Sequence, residues 1–185
     1  MPSKLHGALI AACCLTGCDH ATSQTLDRSD AAAHSDSGHA EHSDANSLIR
    51  FEPNLTGLQQ DLEVSFDGRV RTFHFFVPSG LDDQATYPVV VLLHGHGGSS
   101  DQLLGLDGRA SPHSVWLDVA QREKIILLVP EGVVSPDGKL GWNDCRTDGG
   151  STPSTDDVGL IMALLDGVSS SYPADTNRVL SLIHI

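Results

Sequence analysis

The pentapeptide His94-Gly95-His96-Gly97-Gly98 is the segment of this chain best equipped for chemistry. Five apolar residues, Val89-Val90-Val91-Leu92-Leu93, lead directly into it. A continuous run of that kind reads as a strand buried on both faces, as in a parallel sheet. Glycines at the carboxyl end of such a strand let the backbone approach a ligand closely, because they carry no Cβ. Backbone N–H groups there can hold a developing anionic oxygen, such as that formed in acyl transfer. The competing reading is a phosphate-binding loop. It is set aside because no Lys-Ser/Thr follows and no helix is expected directly after the glycines. The His96 backbone N–H is the expected oxyanion donor, with His94, Gly95, Gly97 and Gly98 expected to contact substrate. The His94 side chain suits a structural role better than a catalytic one. Trp142 is equally suited to a pocket wall and to the core. Asp156 and Asp157 have the chemistry of a catalytic acid, but their place before an apolar stripe favours helix capping. Asp107, Gly108 and His113 belong to a loop that could border the site.

The elements around this loop alternate in type. Leu62–Phe66 and Arg69–Val77 are strand-like runs joined by Asp67-Gly68, a strong hairpin signal. After the Val89–Leu93 strand, a helix is expected over Val115–Glu123 and a second buried strand over Ile125–Val129, closed by Pro130. A long Gly/Asp/Ser loop follows from Glu131 to Thr155. A helix then opens at Ser154-Thr155-Asp156-Asp157, with an apolar stripe of Val158, Ile161, Leu164, Leu165 and Val168, and ends at Tyr172-Pro173. Hairpin, then strand–helix–strand–helix, predicts an α/β architecture with an antiparallel edge.

The stretch Tyr87 to Gly98 resembles the polyhydroxybutyrate depolymerase/feruloyl esterase-like family of α/β-hydrolases. So do Val129-Pro130-Glu131-Gly132, Gly141-Trp142-Asn143-Asp144-Cys145-Arg146 and Asp156-Asp157-Val158-Gly159. These blocks span roughly residues 60 to 179. The resemblance implies an α/β-hydrolase fold and a serine esterase that needs no cofactor and no metal. Polyesters or esters of plant polysaccharides would be its substrates. It also implies that Asp175-Thr176-Asn177-Arg178-Val179 leads into the strand before a G-x-S-x-G nucleophile elbow. No G-x-S-x-G occurs in the 185 residues. The expectation is therefore the N-terminal half of the fold, truncated before the elbow, with the Ser/Asp/His triad outside this chain. Ser181 and His184 lie where a strand should run and lack flanking glycines, so they make no dyad. The resemblance stops at Val179. Residues 180–185, Leu-Ser-Leu-Ile-His-Ile, are accordingly expected to be a non-native tail; they also match the translation of a transposon-end sequencing adapter. A non-catalytic, membrane-tethered binding protein and a peptidase of the prolyl-oligopeptidase type are the alternatives on the same scaffold.

The amino-terminal residues read as an address rather than fold. Lys4 precedes a short apolar run from Leu5 to Leu15, too short to span a bilayer. Leu15-Thr16-Gly17-Cys18 resembles a bacterial lipobox, with Cys18 the lipidated residue. Residues 1–17 would be the signal peptide, 18–50 a tethering linker and 51–179 the partial hydrolase domain. The expected location is outside the cytoplasm, periplasmic or at the cell surface, held to the membrane by lipid alone. The linker is poor in apolar residues and cannot offset its ordering entropy. Its His20, His34, His39 and His42 keep no fixed spacing, which favours a solvated linker over a metal-scavenging tract. Only Cys145 remains in the folded part, and no C-x-x-C spacing exists. Formal net charge is −13, and loss of Lys4 would bring it near −14. That balance argues against nucleic acid as a partner and is compatible with a neutral ester substrate.

Overall fold

The computed structural model describes residues 49–144 and 151–183. The lipobox, the linker with its histidines, Cys145, Arg146 and His184 lie outside the described residues. Five strands form one mixed sheet: β1 (Gly57–Phe66), β2 (Arg69–Val77), β3 (Tyr87–Leu93), β4 (Ile126–Pro130) and β7 (Ala174–Ile183). Their order is β1-β2-β4-β3-β7. The β1–β2 and β2–β4 pairs are antiparallel, whereas β3 runs parallel to both β4 and β7. Two short strands, β5 (Val133–Val134) and β6 (Leu140–Gly141), form a separate hairpin within the long loop. Among the described residues, the helices are α1 (Ser100–Leu104), α2 (Val115–Glu123), preceded by a 3-10 turn over Pro112–Ser114, and α3 (Asp157–Ser171).

The Asp67-Gly68 turn behaves as its sequence requires. Both residues have positive φ, 49° and 68°, the pair that a type I′ hairpin turn needs. β1 begins earlier than the alternating pattern indicated, because a register shift between Gln59 and Leu62 interrupts that alternation.

Strand alternation splits the core into two layers. On one face Phe73, Phe75, Val77, Val89, Val91, Ile126 and Leu128 pack with Leu160, Leu164 and Val168 of α3. Phe51 joins this layer, its ring centroid 4.6 Å from that of Phe75. On the other face Phe76, Val90, Leu92, Leu127 and Val129 meet Leu103 and Leu104 of α1 and Ala120 of α2. Helices on both faces of the parallel part of the sheet account for the near-continuous apolar runs of β3 and β4.

Two expectations are corrected. Ile161, Leu164, Leu165 and Val168 of α3 pack on the core as expected, with Asp157, Leu160 and Gly167 buried beside them, whereas Val158 is exposed. Asp157 turns inward to a buried partner. A short helix, α1, also starts two residues after Gly98, where none was expected; Ser99 caps it by accepting from the Gln102 N–H. At five residues it has too little apolar periodicity to be read from sequence.

Candidate active-site loop

The His94–Gly98 loop leaves the carboxyl end of β3, between β4 and β7, and is held by the segment that follows β4. His94 is buried, 2% exposed. Its Nδ1 lies 2.8 Å from Gly95 O. Its Nε2 lies 2.7 Å from Glu131 Oε1 and 3.0 Å from the Gly132 N–H. Both ring nitrogens thus face oxygen acceptors. The Gly132 N–H is shared between His94 Nε2 and Glu131 Oε1, the latter at 3.1 Å. Glu131 also accepts from the Ser100 N–H and from Ser100 Oγ, the latter at 2.9 Å. Burial tends to raise the Glu131 pKa, but the hydrogen bond and charge of His94, helped by Ser100, outweigh it and lower the pKa below the ordinary 4.5. One carboxylate therefore ties the start of the loop to the start of α1.

Three further contacts fix the loop. Trp142 Nε1 donates to His94 O at 2.8 Å, and its ring stacks obliquely on the imidazole with centroids 5.0 Å apart. The Gly97 N–H donates to Leu140 O of β6 at 2.8 Å. His96 Nε2 lies 2.8 Å from Asp137 Oδ2 at the tip of the β5–β6 hairpin. The Asp137 pKa is lowered, chiefly by the Lys139 N–H that its carboxylate accepts, with His96 adding to it. Gly132 and Gly141 are required for this packing. A Cβ on Gly132 would sit 2.6 Å from Gly141 O, and one on Gly141 would sit 2.8 Å from Ser135 Oγ.

The backbone donors of the loop divide into two sets. The Gly97 and Gly98 N–H groups are engaged within the protein, the latter on Gly95 O at 2.9 Å. These two glycines shape the turn rather than offer donors, and Gly97 does so at a φ of 78°. The His96 N–H, expected as the oxyanion donor, donates to no described residue. Beside the loop lies a cleft of about 290 Å³, lined in part by Gly95, Gly98, Gln102, Arg109 and His113. His113, named above as a possible border residue, is in its wall; Trp142 is not. Trp142 is 9% exposed and bonded to the base of the loop.

Asp156 and Asp157 separate in role. Asp156 caps α3, accepting from the Gly159 N–H at 2.8 Å. Asp157 is buried against Arg71 Nη2 at 2.7 Å, with side chains 4% and 3% exposed. Its other oxygen accepts from the Asn143 N–H at 2.7 Å and from Thr155 Oγ1. It therefore anchors the long loop to β2, and is neither a cap nor an acid facing the cleft. Arg71, Glu131 and Asp137 were missed as members of this site. Their partners lie 86, 37 and 41 residues away respectively, and no local spacing marks such pairs.

No known family profile matches the chain, and no curated protein does. Solved structures of similar course include a thermostable esterase, at 17% identity over 67% of this chain and TM-score 0.43. Fungal esterases from Rhizomucor miehei follow at 17% over 71% and 0.43, and brefeldin A esterase, a bacterial homologue of human hormone sensitive lipase, at 17% over 75% and 0.38. The chain spans 34%, 36% and 34% of these proteins respectively. The strand order, the leading antiparallel hairpin and the loop at the end of β3 decide the architecture. The architecture is a mixed α/β sheet with an antiparallel leading hairpin, the class expected of an α/β-hydrolase. What the loop does is a separate matter, and rests on its own geometry.

Proposed function

We propose that this chain carries the oxyanion-stabilising half of a carboxylic ester hydrolase whose serine nucleophile, acid and base are supplied by sequence beyond it. The observation that carries the reading is the His96 N–H, which donates to no described residue, in a loop held by Glu131, Leu140 and Trp142. Donors fixed before the reaction are what oxyanion stabilisation needs, since no reorganisation is then required as charge develops. The full-length enzyme would form an acyl-enzyme on a serine activated by histidine. Short hydroxyalkanoate polyesters, or feruloyl and acetyl esters, are the substrate classes considered, and the His113 cleft is the place for one arm of the ester. A tethered binding protein would use the same cleft without turnover.

Two substitutions in the full-length enzyme separate the backbone of His96 from its side chain. His96→Pro removes the N–H and should lower kcat by roughly 10²–10³. His96→Ala keeps the N–H and should retain most activity. Equal loss in both variants would shift the role to the imidazole. No ester turnover by the parent protein would favour the binding-protein reading. We also propose that Cys18 carries the lipid anchor; Cys18→Ala should abolish lipid labelling and leave an unprocessed precursor, and normal processing would remove the anchor.

A further inference from the structure

A cluster of ligand-type groups lies where β1, β2 and α1 meet. Asp61, His74 and Asp101 come from three elements, and one ligand atom from each lies within 4.8 Å of the others. His74 is 2% exposed, and its Nε2 makes no hydrogen bond to any described residue. That nitrogen is nonetheless aimed at Asp101 Oδ1, 3.1 Å away but out of line for a hydrogen bond. Leaving a buried ring nitrogen unsatisfied is costly. A cation between the two atoms removes the cost. Ligands at 2.0–2.1 Å around a tetrahedral zinc ion are about 3.3 Å apart, close to the spacing found here. Asp61 is brought in by the irregularity of β1. The register shifts between Gln59 and Leu62, and Asp61 takes a positive φ of 52°. A non-glycine residue in that conformation is uncommon and is held there by its surroundings.

We propose that Asp61, His74 and Asp101 form a binding site for a divalent transition cation, zinc by preference. One imidazole and two carboxylates suit zinc, and the exposure of Asp61 and Asp101 leaves room for water at the remaining position. The His74 Nδ1 now accepts from the Asp61 N–H at 3.2 Å. Coordination through Nε2 moves the ring proton to Nδ1, so that contact opens as the metal enters. The site would pin the β1–β2 hairpin to α1, the helix that begins just after the oxyanion loop. This role is structural and independent of the ester reading.

The test uses the full chain with His20, His34, His39 and His42 replaced by asparagine, so that linker histidines contribute nothing. After chelator treatment, zinc should bind at one equivalent in calorimetry and raise the melting temperature. Asp61→Asn suits the positive φ, because asparagine tolerates that region, and it removes the charge. Asp61→Asn and Asp101→Asn should each weaken zinc binding by about tenfold or more. His74→Gln should do the same if it folds. The Asp61 amide should also exchange faster with solvent when zinc is present. Zinc binding unchanged in Asp61→Asn and Asp101→Asn, or no binding in the parent chain, overturns the site.

Discussion

At the residue scale, Glu131 gathers the most consequences. Its folded pKa is lowered, so the folded protein holds fewer protons at this group than the unfolded chain does. The stabilisation is complete above the ordinary carboxylate pKa of about 4.5 and is lost as pH falls through the folded value. Glu131→Gln removes the charge opposite His94 and should destabilise the fold by about 1–3 kcal/mol at neutral pH. The gap between parent and variant should shrink below about pH 4.5. Denaturant midpoints measured from pH 7 to pH 3 report this directly; a gap that widens with acid contradicts the His94–Glu131 pairing.

At the element scale, the buried Arg71–Asp157 pair joins β2 to the start of α3 and, through the Asn143 N–H, to the long loop. Removing one member leaves the other charge buried without compensation. Asp157→Ala should therefore cost about 3–5 kcal/mol. Replacing both with apolar residues of similar volume should cost less than the sum of the single changes, since no orphan charge remains. It should not reach neutrality, because the Asn143 N–H loses its acceptor. Strict additivity in the double-mutant cycle would show that the two side chains do not interact.

For the whole molecule, β7 is the weak side of the fold. It forms an edge of the sheet in this structure, and Val179, Leu180 and Ile183 are 37%, 40% and 48% exposed. Val179 and Leu180 are adjacent and point to opposite faces, so neither face is fully covered. Parallel strands are ordinarily buried on both faces. An apolar edge of that kind templates association with other chains. Leu180→Lys should reduce concentration-dependent light scattering of the chain, without altering the helical content seen by circular dichroism. Unchanged scattering would place the association elsewhere.

The sequence by itself determined the elements and the loop. Period-two alternation and Asp67-Gly68 defined the first hairpin, and continuous apolar runs defined β3 and β4. Glycine spacing after Leu93 marked the loop, because a backbone that must turn sharply after a buried strand leaves a local trace in composition. Tertiary structure decided what each polar group does. Asp157 reads as a helix cap until β2 is seen to present Arg71 to it, 86 positions earlier. Glu131 is only a residue after a strand until His94 lies 2.7 Å away. That the Gly97 N–H is spent inside the protein follows from Leu140 O of β6 lying against it. The Asp61–His74–Asp101 cluster has no local signature, because its three members share a corner only once β1, β2 and α1 have packed. Hydrophobic periodicity is written along the chain; the partner of a buried charge is fixed by the register and layering of elements far apart in it.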